Sequence, residues 1–318
     1  MAQAKRHTAQ ATRSSIFFKK LRRYRALFIM MIPGFLYLII NNYLPMFGVM
    51  IAFKDINYAK GILGSDWIGF KNFEYLFMTT DAYIITRNTI LYNGSFIILN
   101  TVFAIAVAIL LSEVRRKLAA RFYQSIILLP YLISMVIVGY LVLSMLSVES
   151  GYLNLNLLPM FGMEPISWYF EPKYWPYILT IVQLWKATGY LCVIFLAAII
   201  GIDHEYYEAA TIDGASKWQQ IRTITVPLIA PTITIMTLLA IGRIFYSDFG
   251  LFYQVPLNSG PLQPVTDVID TYVYRGLMTL GDIGMSSAAG LYQSLVGFVL
   301  VLLSNYIVSR RNKENALF

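Results

Sequence analysis

The chain has 318 residues, 58% of them hydrophobic and only 13% charged, with a formal net charge of +8 and a mean hydropathy of +0.60. Soluble domains carry about 25% charged residues, so the composition excludes an ordinary soluble protein and points to one that lives in lipid. A single cysteine, Cys192, excludes an intramolecular disulfide.

The first 25 residues form a basic tail with Lys5, Arg6, Arg13, Lys19, Lys20, Arg22, Arg23 and Arg25. Six apolar stretches follow, at residues 26–53, 89–112, 125–147, 177–202, 228–246 and 288–308. Each is long enough to cross about 30 Å of hydrocarbon. Pro33, Pro45 and the pair Asn41-Asn42 interrupt the first, and such breaks survive in lipid only where neighbours or water satisfy the freed backbone groups. No small-residue cleavage site follows this run, so the first span is expected to stay rather than to leave as a leader. Arg115, Arg116, Lys117 and Arg121 lie between the second and third spans, and Arg310, Arg311 and Lys313 follow the sixth. By the positive-inside rule these segments and both termini are cytoplasmic. The basic tail is read as a topology signal, with no nucleic-acid partner expected. The organisation predicted is an all-α membrane protein: a tail at 1–25, a six-helix transmembrane domain at 26–309 and a tail at 310–318.

Two cations fall within spans, Lys186 in "VQLWKATGY" of the fourth and Arg243 in "LAIGRIFYSDF" of the fifth. Charges at such depth are costly and tend to face a bundle interior or a water-filled cavity. Arg243 is near the outer end of its span, where it can snorkel or pair with Asp248, whereas Lys186 is too deep for easy snorkelling. Gln183, Trp185, Tyr190, Tyr246 and Tyr253 surround them in sequence. Aromatic faces stack on sugar rings and amides pair with hydroxyls, so with Lys186 and Arg243 these residues make a candidate saccharide path. Interfacial belts and helix packing are the other uses of such aromatics. If Lys186 pairs with a sugar carboxylate, acidic sugars are favoured.

Between the fourth and fifth spans lies a polar island, "YYEAATIDGASKWQQIRTITVPLIAP". Residues from Glu205 to Ile212 favour helix, and Gly214 follows at a position where helices commonly end left-handed. Ser216 and Gln219 have capping-box spacing, which predicts a second helix through Trp218 and Ile221 toward Ile224, with Pro227 ending it or opening the fifth span. A plain connecting loop or a segment lying on the headgroups is the alternative to two capped helices. After the fifth span, "VTDVIDTYVYRGLM" places Val265, Val268, Ile269, Tyr272 and Val273 at helical spacing, which predicts a helix along the outer surface with Asp267, Asp270 and Arg275 exposed on it.

Glu208-Ala209-Ala210, then Asp213-Gly214-Ala215, then Ile224 and Pro227, resembles the EAA motif of the permease subunits of type I ABC importers. Ile221 and Val226 stand where that family commonly has Phe and Leu. The stretches "NNYLPMFGVMIAFKDINYAKGILGS", "WIGFKNFEYLF" and "GPLQPVTDVIDTYVYRGL" are similar to the subgroup that imports oligosaccharides and polysaccharide breakdown products, including alginate and pectin-derived uronides. The resemblance implies a bacterial inner-membrane protein whose 203–227 loop forms coupling helices, with Glu208, Ala209, Ala210, Asp213, Gly214, Ala215, Trp218 and Ile221 facing an ATPase. In it Glu208 would pair with a basic group of that ATPase and Gly214 would permit the turn. It also implies a second, related permease, an ATP-binding subunit dimer that holds ATP and magnesium, an extracytoplasmic solute-binding protein and surrounding lipid.

The phosphate-cradling G-x-x-x-x-G-K-[ST] loop occurs nowhere in the sequence, so any ATPase must be another chain. An ion-coupled sugar carrier is the alternative; it would usually place carboxylates at mid-membrane, and the six stretches hold none. Two histidines, His7 and His204, make no metal site, and Glu149, Glu164 and Glu171 are scattered. No catalytic residue and no cofactor are expected in this chain.

Overall fold

A computed structural model describes residues 23–311. The basic tail up to residue 22, with His7, and the stretch from 312 to 318 lie outside the described residues.

The first span, α1 (Arg25–Phe53), is α-helical to Leu38, widens into a π turn at Ile39–Tyr43 and continues through Pro45 into a 3-10 segment. The same π turn recurs at Leu153–Leu157 before Pro159 and at Ile221–Thr225 before Pro227. A proline ring pushes away the carbonyl four residues earlier and offers no N–H; widening the preceding turn accommodates both. No residue of α1 from Arg25 to Met46 is buried, so that part of the span leaves its surface to lipid and to other chains. Its far end, around the buried Ala52, packs on the last helix of the chain.

A two-stranded hairpin follows, β1 (Lys54–Asp55) antiparallel to β2 (Asp66–Trp67). The Lys54 ammonium donates to the carbonyls of Ile62 and Leu63, 2.9 Å each. Then come α2 (Lys71–Met78), α3 (Thr80–Ser112), α4 (Lys117–Leu132), α5 (Met135–Leu146), α6 (Trp175–Ile200), α7 (His204–Ile212), α8 (Lys217–Ile241), α9 (Phe249–Gln254), α10 (Ile269–Met278) and α11 (Ile283–Arg311). Helices α1, α3, α6, α8 and α11 are each long and apolar enough to cross a membrane. Each of these helices begins before its sequence window, while α6 stops at Ile200 and α8 at Ile241, short of the expected ends at 202 and 246.

The expected third span is not one helix. α4 and α5 meet at a bend of 94°, and the apolar helices number six when this bent pair is counted as one span. Pro130 removes a helical N–H near the end of α4, Ile133 and Ser134 are extended, and the Ser134 hydroxyl accepts the Ile137 N–H to start α5 afresh.

Among the described residues three apolar cores hold the bundle, one of them joining Leu76, Ile85, Phe245, Ile269 and Ala289; the other two bracket the site. One joins Tyr92 and Phe96 of α3, Val138 of α5, Trp175 and Leu179 of α6 and Phe252 of α9. The other, toward the α7 side, joins Ala104 and Ala108 of α3, Cys192, Phe195 and Ile199 of α6 and Ile229 of α8. Lipid tails are as apolar as these side chains, so the cores hold by close van der Waals packing rather than by exclusion of water. Gly189 shows how close: a Cβ there would collide with the Ile127 carbonyl oxygen, so glycine lets α6 lie directly on α4. Between the two cores α3 carries Asn100, and α6 carries Gln183 and Lys186. This polar layer is where the site residues gather.

Candidate functional site

The polar island folds as two helices around an elbow. Asp203 caps α7 by accepting the Glu205 N–H. At the other end the Gly214 N–H donates to the Thr211 carbonyl and the Ala215 N–H to the Ala210 carbonyl, 3.1 and 2.9 Å. With Gly214 at φ +75° this is a Schellman stop. Ser216 then opens α8 with a capping box, its hydroxyl accepting the Gln219 N–H and the Gln219 amide oxygen accepting the Ser216 N–H. Gly214 and Ser216 sit two residues apart, which fixes the angle between the helices. The second helix does not end before Pro227 but runs through the π turn into the fifth span.

Side chains brace the elbow from behind. Gln220, buried, donates to Thr211 Oγ1 and the Ala215 carbonyl. Tyr207 pairs with Thr225 across 2.9 Å, and Lys217 forms an ion pair with Glu113 at the end of α3, also 2.9 Å. At the tip, Ile212 is 86% and Trp218 71% exposed. Among the described residues the Glu208 carboxylate has no ion-pair or hydrogen-bond partner. A rigid polar knob with bare apolar side chains and a free carboxylate is suited to insertion into another protein. Replacing Ser216 by alanine removes one box partner, a loss of about 1 kcal/mol; amide exchange over residues 217–220 is then expected to quicken about fivefold. Unchanged exchange would show that the box contributes nothing.

The residues grouped as a sugar path separate into distinct places. Lys186 reaches from α6 into the α4–α5 corner, where its ammonium donates to the carbonyls of Pro130 and Tyr131, 3.2 Å each, and to that of Ile133. An ammonium has three protons, and three carbonyls take them. The Pro130 carbonyl also accepts the Ile133 N–H at 3.3 Å, but those of Tyr131 and Ile133 sit where α4 stops and the chain turns extended, so the charge serves the break in the span. Tyr190, one turn along α6, stacks on Tyr131 at 4.9 Å. Trp185 is exposed on α6, and Tyr253 joins Phe249 and Tyr274 in a separate aromatic group.

Gln183, Arg243 and Tyr246 do come together. With Asn93, Asn100 and Thr101 of α3 they line a groove of about 210 Å³ between α3, α6 and the end of α8, floored by Phe96, Leu191 and Met236. Past Ile241 the helix unwinds, and its freed groups are taken up by side chains. Asn93 Nδ2 donates to the Ile244 carbonyl and to Ser247 Oγ, Gln293 Nε2 donates to the Phe245 carbonyl and to Asp270, and the Ser247 N–H donates to Asp270. This network sets Arg243 and Tyr246 at the groove. Arg243 does not pair with Asp248, which caps α9 instead.

The outer helix α10 differs from expectation. Val268 and Ile269 are fully buried, and Asp267 lies inside beside them, bonded to Arg275 and to Thr271. Asp270 is spent on the Ser247 and Gln293 contacts. Burial pushes both carboxyls above the usual carboxylate range, against the bonds from Arg275 and Thr271 at Asp267 and from Ser247 and Gln293 at Asp270 that pull them down. Neither acid is the exposed contact that the helical spacing suggests.

Sequence reasoning missed Gln220, Tyr207, Asn93 and Asn100, all polar and all placed by contacts across the bundle. Buried amides in apolar runs were the available signal.

Fold and site define a multi-span helical membrane scaffold with a braced helical elbow on one side and a polar groove between helices. The model for binding-protein-dependent transport system inner membrane components matches residues 100–313, and the chain belongs to that family. It is 36% identical over 295 residues to protein LplB of Bacillus subtilis (strain 168), covering 92% of each chain. It is 33% identical to the polygalacturonan/rhamnogalacturonan transport system permease protein YteP of the same organism, over 93% of this chain and 91% of that one. Among solved structures it superposes on a chain of a bacterial ABC transporter involved in the import of the acidic polysaccharide alginate. The TM-score is 0.85 at 31% identity, over 93% of this chain and 99% of the other.

Proposed function

We propose that this chain is one permease subunit of an ATP-driven importer of oligosaccharides, acidic ones included, that a binding protein delivers from outside. The observation that carries the reading is the elbow: a knob braced by Gln220, Tyr207 and Lys217, exposing Ile212 and Trp218, on a chain of this family. In this reading Glu208, Ala209, Ala210, Asp213, Gly214, Ala215, Trp218 and Ile221 form the coupling surface against an ATP-binding subunit dimer, Glu208 offering its free carboxylate to a basic group. Both termini and the elbow lie on the cytoplasmic side, where Arg115, Arg116 and Lys117 cluster. A second, related permease completes the channel and covers α1, whose residues from Arg25 to Met46 this chain leaves bare. ATP and magnesium belong to the partner. Polygalacturonan in one relative and alginate in the structural neighbour support an acidic sugar as cargo.

The test is ATP hydrolysis by the reconstituted complex with its binding protein, across neutral and uronate oligosaccharides. Stimulation by oligosaccharides is the expected result, and absence of stimulation by every sugar would refute it. An identical chain lacking the elbow tip, Trp218→Ser with Ile212→Ser, is expected to lose stimulation.

A further inference from the structure

The groove between two of the apolar cores has an unusual chemical balance. Arg243 brings a permanent cation into it, and among the described residues its guanidinium has no ion-pair, hydrogen-bond or ring partner. Asn100 lines the same groove, is 6% exposed, and its Oδ1 receives no donor. One is a donor fork without an acceptor, the other an acceptor without a donor. A buried bare acceptor is unfavourable by about 1–3 kcal/mol, Arg243 stands exposed just past the end of α8, and Asn93, Gln293 and Asp270 hold the Arg243 turn in place. Lys186 offers no such opportunity, since all three of its protons are taken by carbonyls.

We infer that Arg243 is the group that selects acidic sugars: its guanidinium takes the carboxylate of a uronic acid residue passing through the groove. Asn100 accepts from a neighbouring hydroxyl of the same sugar, and Gln183 and Tyr246 line its sides. A uronate presents both complements together, a planar two-oxygen anion that matches the guanidinium fork and hydroxyls that donate. Depth agrees. Counting 1.5 Å per residue, Gln183 lies about 26 Å along α6 from Ile200 and Asn100 about 18 Å along α3 from Ser112, and Arg243 stands just past the far end of α8. The groove thus runs from mid-membrane toward the side opposite the elbow, where a delivered sugar enters.

The inference rests on the oligosaccharide-importer reading, and one experiment separates the two. The complete importer, with its binding protein, is reconstituted in vesicles and given a defined oligogalacturonate and, separately, its carboxyl-reduced neutral counterpart. Uptake by the unaltered complex judges the reading: if neither sugar enters, the importer reading fails. The variants judge the inference. For Arg243→Gln, uronate uptake is expected to fall between about tenfold and a hundredfold more than neutral uptake, the worth of a charge-assisted hydrogen bond. Arg243→Lys is expected to restore part of the ratio, and Asn100→Leu to lower uptake of both sugars. Equal loss of both sugars in Arg243→Gln, with the complex still assembled, would overturn the inference and leave Arg243 as a charge partner for another subunit. Neutral-only uptake by the unaltered complex would overturn it while sparing the importer reading.

Discussion

Replacing Gly214 by valine is expected to disconnect ATP hydrolysis from sugar uptake, lowering both sugar-stimulated hydrolysis and transport about five- to thirtyfold. The reason is local. Gly214 holds φ at +75°, where a side-chain-bearing residue is strained by about 1–2 kcal/mol, and a β-branched one fits worst. A Cβ there would meet nothing within 4 Å, so the penalty lies in the backbone and not in a clash inside this chain. Relief of that strain opens the bond from Ala215 to Ala210 and releases the angle between α7 and α8, and each 1.4 kcal/mol reduces the correctly angled population about tenfold. Asparagine adopts the left-handed conformation more readily, so Gly214→Asn is expected to keep most of the activity. Equal failure of both variants would assign Gly214 to a contact with the ATPase rather than to the turn. Full activity in both would dismiss the elbow as the coupling element.

Lys186→Met is expected to destabilise the protein by about 2 kcal/mol, because it removes the ammonium from the carbonyls of Tyr131 and Ile133, while that of Pro130 keeps the Ile133 N–H. Uptake of uronate and neutral sugars should fall together. Arginine is not a substitute: its planar fork does not converge on the carbonyls of Pro130, Tyr131 and Ile133 as an ammonium does. The check is thermal unfolding of the purified complex alongside the uptake ratio. An unchanged midpoint with selective loss of uronates would return Lys186 to the sugar path and remove the reason for assigning that role to Arg243.

How much could be read from the chain alone depended on how far each feature reaches in sequence. The turn of the elbow was legible, because Gly214, Ser216 and Gln219 act within a few residues of one another through backbone rules, but its bracing by Gln220 and Tyr207 was not. The spans were legible from hydropathy. The corner between α4 and α5 was not, since a proline such as Pro130 is tolerated in membrane helices and the decisive partner, Lys186, lies on another helix. Helical spacing gave α10 its existence but not its surroundings: the same periodicity describes a helix on the surface and one whose Val268 and Ile269 are sealed by neighbours. The groove needed Asn93 and Arg243, far apart in sequence, to be set side by side. Of the aromatic residues near the two cations, only Tyr246 reached it; Tyr190 and Tyr253 were claimed by other rings.

Ile229 has a mechanical consequence. It is buried in the core on the elbow side and sits midway between the ends of α8 at Lys217 and Ile241. The helix is about 37 Å long, so each arm measures about 18 Å. Gln220, Thr225 and Leu238 of the same helix are buried too; were α8 to turn as a rod about Ile229, displacement of the elbow tip would arrive at its far end with the same amplitude and the opposite sign. Squeezing the elbows of two such subunits together would therefore spread their groove ends apart, one ångström for each ångström.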